Sequence, residues 1–198
     1  MQVLNHGMGD LRWTTRVAET PADLAEFLEW TADRRRRGEF VAFDTETTGL
    51  ELFGAGHRLR LAQFGTAREA WIIPVELGAP FAAAARDALA HLPRLAAHNA
   101  TYDALVLERH LRLPLEELWA RVRDTRIYAH LADSRKESEG GVGHALKNLA
   151  AHYVDSAATD GQTELLAEFR AVGADKRTGW ARIPWNNPVY LRYAAADV

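Results

Sequence analysis

Cysteine is absent from the 198 residues. That excludes disulfides and thiolate metal sites together, and leaves carboxylates and imidazoles as the ligands available to a metal. Long apolar runs are lacking too, so nothing in the sequence reads as a bilayer span. The start MQVLNHGMGD has neither the basic nor the apolar region of a secretory signal. A cytoplasmic protein without a membrane partner is the expectation. Nor is one sign of charge in excess: 24 Lys and Arg stand against 27 Asp and Glu, a net charge of -3. The overall balance therefore gives no sign of a nucleic-acid binder. It does not exclude one, because a site built of several acids can hold divalent cations that reverse the field a phosphate meets. The densest basic run, Arg34 to Arg37, reads first as a solvated helix end favoured by the C-terminal dipole and only second as a contact to a nucleic-acid backbone.

What is present is the composition of one globular domain, 47% hydrophobic and 26% charged. No internal repeat or domain boundary is evident over residues 1–198. LRWTTRVA reads as a strand. In TPADLAEFLEWTADRR, Thr20 is a candidate N-cap with Pro21 at the first helical position and Asp23 at the third, and Leu24, Phe27 and Leu28 follow at helical spacing. EFVAFDTE, RLRLAQFG and EAWIIPV read as strands, the last two joined tightly enough for an antiparallel hairpin. PFAAAARDALAHL is helical, RLAAHN a short strand, TYDALVLERHL a helix, and WARVRDT a strand whose end carries Asp124. Strands interleaved with helices predict an α/β domain whose sheet has helices on its faces. From about Asp133 the pattern turns helical, interrupted by the charged, glycine-bearing DSRKESEGGVG, a mobile surface loop by composition. GHALKNLAAHYV and TELLAEFRAV read as helices, GADKRTGWARIPWNNP as an irregular connection, and Pro188 as the start of a last helix.

FVAFDTETTGL raises the chemical question. Period-two alternation puts Asp44 and Glu46 on one side of their strand and Thr45 on the other, so two like charges share a face. A cation between them is expected. A third acid, Asp103, opens a helix just after a strand, in HNATYDALVL, with Asn99 and Tyr102 before it; alone, an acid there is usually a cap. Tyr193 and Asp197 in YLRYAAADV are four apart on one helical face.

With D-T-E, N-x-x-Y-D and Y-x-x-x-D appearing in that order, the chain resembles the DEDDy family of 3'-5' exonucleases, from about Trp13 to Val198. The flanking HALKNLA and DTRIYAHLAD segments are most similar to the proofreading domain of family A DNA polymerases, particularly those of phages of actinobacteria. The resemblance implies a ribonuclease H-like mixed sheet. It also implies two divalent cations, Mg²⁺ or Mn²⁺, which suit hard oxygen ligands and can supply the attacking hydroxide, charge relief and leaving-group stabilisation of phosphodiester hydrolysis. By the same resemblance Asp44 bridges both cations, Glu46 and Asp197 complete the first site, Asp103 holds the second largely through water, and Tyr193 orients the nucleophilic water. Substrate contacts carried over are Leu50 as an apolar wedge, Thr45 through its backbone N–H, Asn99 by a hydrogen bond, and Tyr102 by stacking or a phosphate contact. Leu50 reads equally as a core leucine after a turn.

The implied substrate is a single-stranded or frayed 3' end of DNA, contacted without regard to base identity. An RNA-processing exonuclease resembling ribonuclease D shares the same acids and tyrosine, and a catalytically silent strand-binding module is a third reading, disfavoured because the acids and the tyrosine are all present. The chain stops one residue after Asp197, which reads as an excised N-terminal piece of a longer chain, with a polymerase domain to follow and a last turn prone to fray. Host cytoplasm is the implied location if the chain is phage-encoded. His57, His98 and His144 read as packed or solvated residues, and Trp180 and Trp185 as core or loop anchors. The glycines of TTGLELFGAG read as turn residues.

Overall fold

The computed structural model of the chain describes residues 1–159 and 161–198. Its elements in chain order are strands β1 (Gln2–Met8) and β2 (Leu11–Val17), helix α1 (Pro21–Arg37), strands β3 (Val41–Thr47), β4 (Leu59–Gly65) and β5 (Glu69–Pro74), and helix α2 (Ala79–His91). Strand β6 (Leu95–Ala97), helices α3 (Thr101–Leu111) and α4 (Leu115–Trp119), strand β7 (Val122–Asp124) and helices α5 (Thr125–Ala132), α6 (Leu146–Tyr153), α7 (Gly161–Ala171), α8 (Gly179–Arg182) and α9 (Pro188–Ala195) follow.

The strands form one mixed seven-stranded sheet in the order β1-β2-β5-β4-β3-β6-β7. The expected hairpin is there: β4 and β5 pair antiparallel, closed by Thr66 N donating to Glu69 O at 2.8 Å. β3 lies between antiparallel β4 and parallel β6, so the strand bearing two acids is interior to the sheet. Both faces of the sheet are covered. Residues of β4 alternate between two apolar clusters, Ala62 and Phe64 facing Phe27 of α1 and Leu89 of α2, and Leu61 facing Phe169 of α7 and Leu191 of α9. A strand buried on both sides reads as a nearly continuous apolar run, as RLRLAQFG does.

Local chemistry sets the helix boundaries. Thr20 and Asp23 make a reciprocal capping box at the start of α1, with Pro21 inside it, and Gly38 in the left-handed region ends the helix behind the four arginines. Arg34 pairs with Glu39 at 2.8 Å and Arg37 with Asp33 at 2.9 Å, which fits the reading of that run as a helix end.

Several expectations need correction. Gln2–Met8 is an unforeseen edge strand, paired antiparallel to β2. Trp119 is helical and Thr125 already belongs to α5, so the strand expected over 119–125 shrinks to Val122–Asp124; Asp124 ends it by accepting from Arg126 N, as the N-cap of a helix that begins well before Asp133. The connection 173–188 includes one helical turn, α8. The loop 133–143 contains a 3₁₀ turn at Glu137–Glu139, and Asn148 Nδ2 donates to Glu137 Oε1 at 2.6 Å. Among the described residues no helix is long and apolar enough to cross a membrane.

Candidate active site

β3 brings Asp44 and Glu46 to one face, opposite Gln63 and Leu61 of β4, before its register with β4 shifts between Glu46 and Thr47. The last helix brings the third acid. Asn187 caps α9 by accepting from Val189 N at 2.9 Å and Tyr190 N at 3.1 Å, and the buried Tyr190, Leu191, Ala194 and Ala195 seat the helix on the sheet. Asp197 follows its C-terminus. Carboxylate oxygens of Asp44, Glu46 and Asp197 all lie within 4.8 Å of one another.

Asp103 stands beside this trio rather than in it. Only 5% exposed, it accepts from Thr45 Oγ1 at 2.5 Å, so the threonine between the two strand acids reaches the helix acid from the opposite side of β3. The start of α3 is itself fixed by an acid that sequence reasoning noted only as a strand end. The Asp124 carboxylate accepts from Asn99 N at 3.0 Å, Ala100 N at 2.9 Å and Arg126 N at 2.9 Å, which caps α5 and fastens the turn that leads into α3. Asn99 is held at φ 58°, a backbone region few non-glycine residues adopt, and Asp124 is what stabilises it there.

The cluster is electrostatically unbalanced. Burial, then the charges of Asp103, Asp197 and Glu46, push Asp44 well above the usual carboxylate range. Burial, then Asp197 and Asp103, do the same to Glu46, against the opposing charges of Arg60 and Lys147. Burial raises Asp103 to about 6, against the hydrogen bond from Thr45, and raises Asp197 in spite of Lys147. One side-chain cation of the chain reaches the cluster at its far acid: Lys147 Nζ, on α6, is in ion-pair contact with Asp197 Oδ1 and lies 5.1 Å from the centre of the Tyr193 ring. None of the acid and tyrosine motifs includes it; the signal was its place in the flanking segment HALKNLA.

Two expected outcomes follow. Acids whose pKa is higher folded than unfolded bind protons more readily in the folded state, so their contribution to stability falls as pH rises from the ordinary carboxylate range through the raised values, about 6 for Asp103. In chelator, the thermal midpoint of an Asp44→Asn, Glu46→Gln variant should therefore exceed that of the unsubstituted chain most at about pH 8, the gap shrinking towards about pH 5. An unchanging gap contradicts the charge imbalance. Lys147 competes with any cation for Asp197, so Lys147→Met should tighten Mn²⁺ binding several-fold in calorimetry; weaker binding would show the lysine to be a support for the site instead.

Tyr193 lies within α9 whereas Asp197 stands in the turn after it, so the single helical face expected for the pair ends at Ala195; the Tyr193 ring packs edge-on to Trp180 at 5.9 Å. Burial and then the charge of Asp197 hold its phenol above its ordinary pKa. Among the residues expected to touch substrate, Leu50 is 83% exposed, which removes the reading as a core leucine. Tyr102 presents no free hydroxyl: it donates to Gly49 O at 2.9 Å and lies 2.9 Å from Thr47 Oγ1 and 3.1 Å from His57 Nε2. Asn99 Oδ1 accepts from Arg126 Nη1 at 2.7 Å. Thr45 is paired with Ala62 of β4 within the sheet, and its hydroxyl is taken up by Asp103. His98 ties Thr125 Oγ1 and the His144 carbonyl together at 3.0 Å each, and Trp180 and Trp185 pack on the cluster under α9, in keeping with their structural readings.

Residues 15–198 match a family model described as 3'-5' exonuclease. A DNA polymerase of Mycobacterium phage L5 is 40% identical over 190 residues, which cover 96% of this chain and 31% of that protein. The chain thus spans about a third of the length of the curated relatives it matches. Among solved structures, the Aedes aegypti Nibbler EXO domain superposes with a TM-score of 0.64 at 18% identity, covering 93% of this chain and 82% of that one. Escherichia coli RNase D, an exoribonuclease involved in structured RNA processing, gives a TM-score of 0.62 at 19% identity over 93% of this chain and 41% of its own. At those identities the likeness is one of fold, the ribonuclease H-like mixed sheet.

Proposed function

Because the chain belongs to the 3'-5' exonuclease family of family A DNA polymerases, we propose that it releases nucleoside 5'-monophosphates from the 3' end of DNA with the help of bound divalent cations, as the proofreading part of a longer polymerase chain. The single observation that carries the metal-dependent reading is the convergence of Asp44, Glu46 and Asp197, from a central strand and the turn after the last helix, with oxygens within 4.8 Å and charge left uncompensated. Such a set of hard oxygen donors fits Mg²⁺ or Mn²⁺. Asp44, Glu46 and Asp197 would hold one cation, and Asp103 would help to hold a second. Bound there, the cations supply stabilisation of charge on the phosphoryl oxygens and acidify the attacking water.

The remaining work falls to the chain itself. Thr45 orients the Asp103 carboxylate through its hydroxyl, and Asp124 fixes the helix end from which Asp103 projects. Tyr193 stays protonated and serves as a hydrogen-bonding group that positions the water, while Glu46 accepts from it. Leu50, projecting into solvent, is placed to lie against the terminal bases of a strand entering the site. These contacts do not read base identity, so the preference is for a frayed or single-stranded end. The mycobacteriophage relatives make host cytoplasm the proposed place of action.

The 40% identity to a DNA polymerase favours DNA over RNA as substrate. A 5'-labelled DNA strand and an RNA strand of equal sequence, incubated side by side with Mg²⁺, test this. The DNA should shorten stepwise from its 3' end, faster than the RNA, and excess chelator should stop it; RNA degraded at the same rate or faster overturns the DNA assignment.

A further inference from the structure

The segment between β3 and β4 is a closed loop pinned at every side, yet it holds two large apolar side chains out in water. Its base is closed by Thr48 N donating to Arg58 O at 3.0 Å and Arg58 N donating to Thr48 Oγ1 at 3.0 Å. Inner turns run from Leu52 N to Leu50 O at 2.9 Å and from Gly54 N to Glu51 O at 2.8 Å, and Leu52 is buried as an anchor. Two further ties fasten the loop to α3: the Tyr102 hydroxyl on Gly49 O, and His57, whose ring nitrogens lie 3.1 Å from the Tyr102 hydroxyl and 2.8 Å from His110 Nε2. On this frame Leu50 is 83% and Phe53 80% exposed.

A single exposed apolar residue needs no explanation. Here the surroundings of Phe53 are chemically specific. The Arg109 guanidinium lies 5.8 Å from the centre of the Phe53 ring, and Arg109 follows Asp103 by six residues on α3, about 9 Å along the helix axis. Arg177 lines the same cleft as Leu50, with Glu51 the acid on that lining. Neither Arg109 nor Arg177 forms an ion pair among the described residues. An open aromatic face backed by an unpaired guanidinium, within reach of a phosphodiester site, matches the two demands of a single strand: stacking for the base and positive charge for the backbone.

We infer that Phe53, supported by Arg109, is a second stacking platform beside Leu50, which takes an unstacked nucleobase of the substrate strand upstream of the end being removed. The inference rests on the exonuclease reading of the site and assigns it a contact that none of the acid and tyrosine motifs includes. The platform grips every base alike, and it rewards a strand whose bases are already unpaired.

The test is Phe53→Ala in the 198-residue chain, with binding of a labelled oligothymidylate followed by anisotropy in excess chelator and hydrolysis followed with Mg²⁺. Binding should weaken by about 5- to 100-fold, KM should rise with kcat nearly unchanged, and the thermal midpoint should not move, since the ring is exposed. Phe53→Trp should restore binding, whereas Phe53→Leu should not. An abasic strand should bind the unsubstituted chain and the Phe53→Ala variant alike. Unchanged affinity and KM in Phe53→Ala, or equal restoration by leucine and tryptophan, overturns the platform while leaving the exonuclease reading intact. Failure of the unsubstituted chain to bind or cut DNA would instead overturn that reading first, and the platform with it.

Discussion

The double substitution Asp44→Ala, Glu46→Ala is expected to remove hydrolysis while leaving the metal-free fold as stable as before, or more so. The loss follows from taking away two of the three carboxylates that converge within 4.8 Å. Bound cations supply several kcal/mol of transition-state stabilisation, which is about three to four powers of ten in rate at ~1.4 kcal/mol per decade. Stability moves the other way because neither acid has an ion-pair partner among the described residues, and each is raised by burial and by the other acids. Removing them relieves repulsion. The measurement is a pair: single-turnover digestion with Mg²⁺, and a thermal melt in chelator. A variant that still digests DNA at the unsubstituted rate would show that the site lies elsewhere.

The second large effect concerns Arg60, a residue with no role in the chemistry. It is 4% exposed, near the start of β4, and its guanidinium uses nearly every donor: Nε to Glu76 Oε2 at 2.5 Å, Nη2 to Glu76 Oε1 at 3.1 Å and to Ile183 O at 2.8 Å, and Nη1 to Trp180 O at 2.6 Å. The planar fork thereby ties the central sheet to α8, a few residues before the helix that carries Tyr193 and leads to Asp197. Arg60→Met leaves Glu76 and two carbonyls without their donor. Breaking a pair buried at both ends costs about 3–5 kcal/mol; with the Glu76 side chain 25% exposed the loss falls at the lower end, which for a chain of this size lowers the thermal midpoint on the order of 10 °C. Arg60→Lys should recover only part of it, because an ammonium cannot satisfy the carboxylate and both carbonyls from one point. Below its midpoint the methionine variant should also hydrolyse slowly, through a displaced α9. A melt identical to that of the unsubstituted chain would contradict the role given to Arg60.

The features legible in the sequence were those whose cause is local. Thr20, Pro21 and Asp23 announce the start of α1 because a capping box is built from residues three apart. The alternation in FVAFDTE put Asp44 and Glu46 on one face because side-chain period in a strand is two. The order of the acid motifs pointed to a shared site although no one motif did. What stayed hidden depends on distance through space. β1 alternates between half-buried and exposed positions at an edge, so its residues carry little apolar pattern to announce it. Asp124 looks like the end of a strand, and only the packed structure reveals that it caps α5 and holds the turn before α3. Arg60 and the carbonyl of Ile183 are 123 residues apart, and Lys147 and Asp197 are 50 apart. Whether Leu50 faces the core or the solvent could not follow from its neighbours either; the pins from Tyr102 and His57 decide it.

The proposed activity depends on acids of β3, of α3 and of the turn after α9 holding divalent cations together. Calorimetric titration of Mn²⁺ into the chain, in the presence of a nucleoside 5'-monophosphate, tests that most directly, with Asp44→Asn and Asp197→Asn run alongside. Saturable binding that either substitution weakens by at least about tenfold, one decade or ~1.4 kcal/mol, is the predicted result. Binding equally tight in all three proteins, or absent from the unsubstituted chain, would contradict it.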